Sequence, residues 1–376
     1  GIDYAHARGK KVYATINGFP FNSQIELLKK HIATMAALEP DGFIVAAPGV
    51  VKLCREIAPQ IDIHLSTQAN VLNYLDAQVF WDMGVKRIVV AREISLKDVV
   101  EIKKHLPDME IEIFVHGSMC FAYSGRCLVS AVQMGRVPNR GSCANDCRFE
   151  YTLYAANEDH STLFRLEEEP GVGTYIFNSK DMNLASHIKE ILDSGAVDSL
   201  KIEGRTKSPY YAAVTAKAYR NAIDDYYDGK FEASKYQREL YTTKNRGFTD
   251  AYLIHRPFEK TDSQNHDYAL SKGSYEVTGL VTEDEEHFLC KYKVYPNEDI
   301  EIFTPMGEEL VECENEIGKI FKKDGIYYIN FKKILTETNK ELESVHSGNV
   351  NKIKLPGILP YLTMFRIENV DGTIVE

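Results

Sequence analysis

The sequence predicts an α/β fold in which a TIM-like (β/α) barrel is followed by a small C-terminal antiparallel β-barrel. Short apolar runs rich in β-branched residues alternate with amphipathic segments of helical period, and each such pair has the length of one βα unit. Strands that are almost wholly apolar indicate a parallel sheet buried on both faces. After residue 272 the pattern changes to short alternating strands with turn signals, which is typical of an antiparallel β-domain.

Six runs are predicted strands, and they lie at residues 11–18, 41–49, 61–70, 86–95, 109–117 and 198–205. Amphipathic helices are predicted at residues 22–40, 50–59, 75–84, 95–108 and 209–232. Polar residues recur at the ends of the predicted strands, where a barrel builds its active-site face. An open dinucleotide-binding sheet needs a glycine-rich first turn, and the chain contains no G-x-G-x-x-G, so the barrel is favoured.

The predicted organisation has a large first domain and a small second one. Residues 1–255 form the barrel, which carries a cysteine-rich loop at 118–150 and an inserted hairpin at 151–177. Residues 256–272 read as a linker, and residues 273–376 as the C-terminal β-barrel. The chain opens without Met in what resembles the middle of a helix, so we expect that residues upstream are missing.

The composition is that of a soluble globular protein, with 376 residues and a formal net charge of −11. No apolar run reaches the roughly 18 residues that a membrane-spanning helix needs, and the N-terminus lacks the features of a signal peptide. These features predict a cytoplasmic protein that does not contact a membrane. Because the chain is acidic, any contact with nucleic acid has to use a local basic patch.

Four of the seven cysteines lie in one segment with the pattern C-x6-C-x15-C-x3-C: Cys120, Cys127, Cys143 and Cys147. Such local clustering predicts one metal site, since cytosolic disulfides are rare. Zinc sites usually use C-x2-4-C pairs, so the wide spacing favours a 4Fe–4S cluster, with zinc as the alternative. Four reduced cysteines or two disulfides are the remaining interpretation. Nearby arginines offset the charge of thiolates or bind an anionic substrate, and these are Arg126, Arg136, Arg140 and Arg148.

Several polar residues at predicted strand ends are candidate site residues, although each has an ordinary structural interpretation. The candidate catalytic residues are His116, Glu203, Arg205 and Tyr123. The candidate substrate-binding residues are His64, Gln68, Asn70, Arg92, Arg126 and Lys201. An arginine binds a carboxylate with two parallel hydrogen bonds, and a tyrosine stacks on a base, for which Tyr210 and Tyr211 are further candidates. The alternatives are rim ion pairs, interior hydrogen bonds and core packing.

Common hydrolase motifs are absent from the sequence, which contains no H-E-x-x-H, no G-x-S-x-G and no P-loop. A cysteine nucleophile, Cys120 or Cys127, with His116 as its base remains conceivable. Using one thiol in this way leaves the other three unexplained.

The segment EIFVHGSMCFAYSGRCLVS, together with NRGSCANDCR, closely resembles the signature of the collagenase-like peptidase family U32. The blocks HLSTQANVLN, RIVVAREISL, NSKDMNL, DSLKIEGRTKSPYY and NRGFTDAYL extend this resemblance over nearly the whole chain. Within the family, the arrangement is most similar to the subgroup of prephenate-dependent tRNA uridine hydroxylases.

The resemblance implies a TIM-like barrel, a 4Fe–4S cluster on the four cysteines and a small C-terminal β-barrel. It also implies two further βα units before Gly1, so that this chain would supply six of the barrel strands. The implied activity is oxygen-independent hydroxylation of the tRNA wobble uridine to 5-hydroxyuridine, with prephenate or a similar small carboxylate as partner. The alternatives are a collagenase-like peptidase, a hydroxylase of an rRNA base or quinone precursor, and a non-catalytic RNA-binding factor.

Overall fold

The computed structural model describes residues 1–138, 142–149, 151–152, 154–156, 163–165, 178–205, 207–255, 263–265 and 273–369. The chain forms two compact units, which are discontinuous in sequence. Unit 1 comprises residues 1–203 and 246–271, and unit 2 comprises residues 204–245 and 272–376. Residues 204–245, which the sequence-based division places with the barrel, therefore cluster with unit 2.

Unit 1 is built on one mixed sheet with helices between its strands. Its strands are β1 (Tyr13–Ile16), β2 (Gly42–Val45), β3 (Ile63–Leu65), β4 (Arg87–Val89), β5 (Glu110–Ser118), β6 (Tyr154–Ala156), β7 (Leu163–Arg165), β8 (Asp181–Asn183), β9 (Ser199–Ile202) and β10 (Phe248–Thr249). Its helices are α1 (Ile2–His6), α2 (Ile25–Ala36), α3 (Pro48–Ile57), α4 (Tyr74–Asp82), α5 (Leu96–His105), α6 (Val129–Met134) and α7 (Ile188–Asp193).

The six predicted strands form a continuous parallel array in the order β1-β2-β3-β4-β5-β9. Consecutive residues of β5, from Ile111 to Val115, are buried, as expected for a strand covered on both faces. Two of the helices begin at polar caps, α4 at Asn73 and α5 at Ser95, whose hydroxyl accepts a hydrogen bond from the Asp98 amide at 3.2 Å. The prediction of parallel βα units is thus confirmed.

The end of β5 departs from a simple barrel pattern. Its residues Glu112–His116 pair in parallel with β9, whereas His116–Ser118 pair antiparallel with β8. Strand β10 in turn pairs with β8. In the part of the chain that the structure describes, no pairing joins β1 to β9 or β10, so a closed TIM-like barrel stays a prediction.

The predicted hairpin at 151–177 is represented by β6 and β7, which pair antiparallel. Residues 153, 157–162 and 166–177 of this segment lie outside the described range, as does most of the predicted linker at 256–272.

Unit 2 contains two helices and a curled antiparallel sheet. The helices are α8 (Pro209–Tyr227) and α9 (Ala233–Tyr241). The strands are β11 (Tyr275–Val281), β12 (His287–Cys290), β13 (Asp299–Phe303), β14 (Cys313–Glu314), β15 (Gly318–Lys323), β16 (Ile326–Phe331), β17 (Ile334–Leu335), β18 (Glu341–Leu342), β19 (Ile353–Lys354) and β20 (Met364–Glu368).

The main sheet of unit 2 has the order β14-β15-β16-β13-β20-β11-β12-β19, with antiparallel pairing throughout. Its core includes the buried rings of Phe288, Phe331 and Phe365. The antiparallel character is as predicted, while closure into a barrel stays a prediction. Buried Arg366 pairs with Glu301 and Glu239, which is why a charged residue can occupy the middle of this sheet.

Candidate active site

The cysteine loop leaves the C-terminal end of β5. Cys120 follows the strand directly, Cys127 precedes α6, and Cys147 lies in a 3-10 helix formed by Asp146–Arg148. All four cysteines are free in this structure, and no disulfide joins them.

The four thiols act on one another electrostatically. Burial raises the pKa of the Cys147 thiol, and the neighbouring thiols of Cys120, Cys143 and Cys127 raise it further, while Arg148 lowers it. Burial also raises the pKa of Cys120: although the residue has exposed surface, protein atoms surround its sulfur. The Cys147 sulfur therefore lies within electrostatic range of the other three, and burial disfavours the thiolate forms of Cys120 and Cys147.

The donor set of four thiols suits a 4Fe–4S cluster and also suits zinc. Within the described ranges, no three His, Cys, Asp or Glu side chains stand in ligating geometry. The thiols are thus gathered in one place without forming a finished coordination shell. Which ion or cluster they hold remains a proposal.

The first half of the loop is fastened to the strand ends through Ser124. The Glu93 carboxylate accepts hydrogen bonds from the Ser124 amide and hydroxyl, both at 3.0 Å. The Asn70 amide, on a residue with a left-handed backbone at φ 59°, donates to the Ser124 carbonyl. A Cβ on Gly125, whose φ is +73°, would lie 2.8 Å from the Gln68 side chain, so only glycine fits there.

These contacts give Asn70 and Gln68 a definite position. Both lie beside the cysteine loop, where they support its first turn. The Gln68 Oε1 is buried, and it has no hydrogen-bond donor among the described residues. Substrate binding by these two side chains stays a prediction.

The second half of the loop is held by Ser130, which is buried at the start of α6. Its hydroxyl accepts a hydrogen bond from the Ala144 amide at 3.1 Å and lies 3.9 Å from the Cys143 sulfur. The Tyr151 hydroxyl donates to the carbonyl of Asp146 at 2.9 Å. These contacts hold the segment that carries Cys143 and Cys147.

Arg92 and Glu203 form an ion pair at the ends of β4 and β9. The Arg92 guanidinium lies 4.0 Å from the ring centroid of Phe114. Both charges act on Cys120: Arg92 lowers the pKa of its thiol and Glu203 raises it. A Cβ on Gly117, whose φ is +141°, would lie 2.9 Å from the Glu203 backbone, so glycine permits this close approach.

Lys201 and His64 belong to a different group of charges, further back along the strands. Lys201 pairs with Glu112 at 3.2 Å, and Arg87 pairs with the same carboxylate at 3.3 Å. Burial and the Arg87 charge lower the pKa of His64 to about 4, so its imidazole is neutral at pH 7. Its ring lies 4.6 Å from that of Tyr13. The structure thus places Lys201 and His64 in an interior ion network.

The other predicted residues differ in exposure. His116 is only 1% exposed, and its ring lies 5.4 Å from that of Phe248. Tyr123 is 55% exposed, and Arg126 is also exposed on the loop. Arg205 is exposed and belongs to unit 2.

The suggestion that Tyr210 and Tyr211 stack on a base is wrong. Both rings are buried on the inner face of α8, and the Tyr210 hydroxyl donates to Thr242 at 2.8 Å. Arg136 is exposed and donates to the Ser142 hydroxyl at 3.4 Å. Arg140 lies outside the described residues.

Sequence reasoning missed a buried polar group that β8 and β10 bring to the end of β5. Arg246, which is 2% exposed, forms an ion pair with buried Asp181. The Asn265 amide donates to the Arg246 carbonyl at 2.8 Å, and the Asn265 backbone amide donates to the Asn178 carbonyl at 2.8 Å. One sequence signal could have indicated this group. The blocks NSKDMNL and NRGFTDAYL contain the charged residues Asp181 and Arg246, to which the predicted site assigns no role.

Arg148 connects this group to the thiols. Burial lowers the pKa of Arg148, and so does the nearby charge of Arg246, whereas Asp181, Cys147 and Cys120 raise it. The same guanidinium is therefore within electrostatic range of the cysteines on one side and of the Asp181–Arg246 pair on the other.

A cluster of thiols and buried charges at the strand ends of a parallel α/β sheet defines a candidate enzyme site. Residues 1–263 match peptidase family U32, and the chain belongs to this family. Among the described residues, no helix has the length and apolar character that crossing a membrane requires.

Relatives of known description are similar over most of the chain. "tRNA hydroxylation protein P" from Helicobacter pylori strain 26695 is 61% identical over 368 residues, which cover 98% of this chain and 87% of the relative. The protein of that description from Escherichia coli K12 is 37% identical over 85% of this chain and 80% of its own. A "Collagenase" from Porphyromonas gingivalis W83 is 27% identical over 85% and 72%, respectively.

Proposed function

We propose that this chain is a cytoplasmic iron–sulfur enzyme that hydroxylates the wobble uridine of tRNA to 5-hydroxyuridine without molecular oxygen. The observation that carries the proposal is the gathering of four thiols at the strand ends, beside Arg92 and Arg148. The 61% and 37% identity to relatives described as tRNA hydroxylation proteins supports the substrate.

In this proposal Cys120, Cys127, Cys143 and Cys147 hold a 4Fe–4S cluster, and zinc is the alternative. When bound, such a cluster supplies one-electron transfer. The thiols lose their protons on binding, and Arg148 and Arg92 stabilise the resulting negative charge.

Hydroxylation at C5 of uridine replaces a C–H bond by a C–OH bond. The base gains one oxygen atom and loses two electrons, so a donor has to release oxygen and accept those electrons. We assign this role to prephenate, or to a similar small carboxylate, acting as the donor or as its precursor. Carboxylates favour arginine partners, and Arg92, Arg126 and Arg205 are the candidates from the sequence.

The exposed part of the loop supports contact with RNA. Tyr123 is 55% exposed and lies three residues after Cys120, where its ring can stack on an extruded base. Phe121 is 51% exposed next to it, and Arg126 supplies a positive charge for the phosphate backbone. An acidic chain needs such a local patch.

The nucleoside composition of tRNA from a deletion strain tests the substrate. Loss of wobble 5-hydroxyuridine, and its return with the wild-type chain, is the expected result. An unchanged level would refute the tRNA assignment, and a change in an rRNA base or a quinone precursor would identify another hydroxylase substrate. For the cofactor, anaerobic reconstitution is expected to give about four irons per chain and a broad visible absorption.

A peptidase is the second candidate, because the Porphyromonas relative is described as a collagenase. A cysteine peptidase needs a thiolate activated by a histidine within hydrogen-bonding distance. Burial instead raises the pKa of the Cys120 thiol, and His116 is almost completely buried. We therefore expect no gelatin cleavage by the pure chain. Cleavage that survives replacement of Cys143 and Cys147 would favour the peptidase.

A further inference from the structure

Two arginines at the candidate site interact with the same buried carboxylate, that of Asp181. Arg246 pairs with Asp181, and Arg148 lies within electrostatic range of both. Burying two guanidinium groups near one another is unfavourable unless enough negative charge is present to balance them. Among the main charges that act on Arg148, Asp181 is the one carboxylate, and it already pairs with Arg246.

Arg246 is held in a fixed orientation. Its backbone amide and one arm of its guanidinium both donate to Asp181, and its carbonyl accepts from the Asn265 side chain. The other arm, Nη1, is buried, and no acceptor faces it among the described residues. A buried charged donor without an acceptor is costly, so this N–H group indicates a missing ligand.

Arg148 shows the same deficit. Its Nε is buried, and the part of the chain described by the structure offers it no acceptor. Arg148 is the last residue of the short helix that carries Cys147, so the helix fixes the position of the Arg148 backbone. Two unsatisfied guanidinium N–H groups, which are 98 positions apart in the sequence, therefore belong to side chains within electrostatic range of one another.

We propose that Arg148 and Arg246 together bind a carboxylate group of a small-molecule co-substrate beside the cysteine cluster, with Asp181 orienting Arg246. The inference rests on the proposed function, in which a small carboxylate acts at this site. Planar guanidinium groups match carboxylate oxygens geometrically, which makes arginine the usual residue for such recognition.

The competing interpretation is that both arginines only balance the charge of the thiolates. Arg148 follows Cys147 in the same short helix, whereas Arg246 is held against Asp181 by its backbone amide and one arm of its guanidinium. Compensation of the thiolates therefore accounts for Arg148 in part and leaves the buried Nη1 of Arg246 without an acceptor. A carboxylate between the two guanidinium groups satisfies both.

Titration calorimetry of prephenate into the full chain, reconstituted anaerobically with iron and sulfide, tests this inference. Arg148→Gln removes one charge, and Arg246→Lys keeps the pairing with Asp181 while removing the forked donor. Each variant is expected to weaken prephenate binding by about 10- to 100-fold. The matched control is Arg55→Gln, which removes an exposed guanidinium from helix α3. This control is expected to change prephenate binding by less than about twofold.

Thermal melting and iron content are measured on the same samples. Folded, iron-loaded variants that bind prephenate as tightly as wild type would overturn the inference, as would a wild-type chain that binds no prephenate. Loss of iron with unchanged binding per loaded chain would mean that the arginines serve only the thiols. Arginine-dependent prephenate binding by a protein that leaves tRNA unmodified would instead refute the proposed function and leave the carboxylate site standing.

Discussion

Replacing Glu93 by alanine removes the acceptor of the two hydrogen bonds that fasten the cysteine loop to the end of β4. The Ser124 amide and hydroxyl each donate to this carboxylate at 3.0 Å, and Ser124 is 2% exposed. Without Glu93, two buried donors lose their acceptors while the loop remains closed. We therefore expect the closed state of the loop to be destabilised relative to states in which water reaches Ser124.

The magnitude follows from the number and type of these bonds. A hydrogen bond to a charged group contributes about 1.5–3 kcal/mol, so losing two corresponds to about 3–6 kcal/mol before relaxation. Partial rearrangement and access of water reduce this, and we expect about 3 kcal/mol for opening of the loop. Glu93→Gln retains one acceptor oxygen and is expected to cost about half as much.

Hydrogen exchange of the peptide spanning residues 119–128 measures this opening directly. A change of about 3 kcal/mol corresponds to an exchange rate more than 100-fold faster in Glu93→Ala, with Glu93→Gln in between. Glu26→Ala, which removes an exposed helix ion pair, serves as the control and is expected to leave this peptide unchanged. Equal protection in all four proteins would refute the assigned role of Glu93.

Three further predictions concern residues on either side of the loop. Burial lowers the pKa of His64 to about 4, so the unfolded state binds more protons than the folded state between pH 4 and about 6.5. The free energy of unfolding should therefore fall by about 3 kcal/mol as the pH drops through this range. Urea titrations of His64→Gln should show a smaller fall. Gly117→Ala places a Cβ 2.9 Å from Glu203 at positive φ and should lower stability by about 2–4 kcal/mol, whereas an unchanged melting temperature would contradict the close approach. Tyr123→Ala should weaken tRNA binding by roughly 5- to 150-fold if its ring stacks on a base, with iron content unchanged; equal affinity in gel-shift assays would remove Tyr123 from the site.

Local features of the sequence predicted the parallel sheet and the cysteine loop. The run around Ile111–Val115 is continuously apolar, and a strand buried on both faces has that composition irrespective of its neighbours. The four cysteines cluster within one segment, and this clustering is visible in the sequence without knowledge of the tertiary structure. Tyr123 and Arg126, two candidate residues of this loop, are exposed in the structure.

Long-range pairing explains what was missed. Asp181 and Arg246 are 65 positions apart, and they meet because β8 pairs with β10 and, in the antiparallel sense, with the last residues of β5. No local period encodes that pairing. Tyr210 and Tyr211 look suitable for stacking by composition, but they begin α8 on its buried face, and burial depends on what packs against the helix.

Nucleoside mass spectrometry of tRNA from a deletion strain carrying Cys147→Ser tests the central claim most directly. The other three thiols each raise the pKa of the Cys147 thiol, which shows that Cys147 lies within electrostatic range of all of them. We therefore expect its replacement to disable the site. We predict no wobble 5-hydroxyuridine with Cys147→Ser. The matched control is Cys313→Ser, which replaces a partly buried cysteine of unit 2 and should leave a wild-type level. A wild-type level of 5-hydroxyuridine with Cys147→Ser would contradict it.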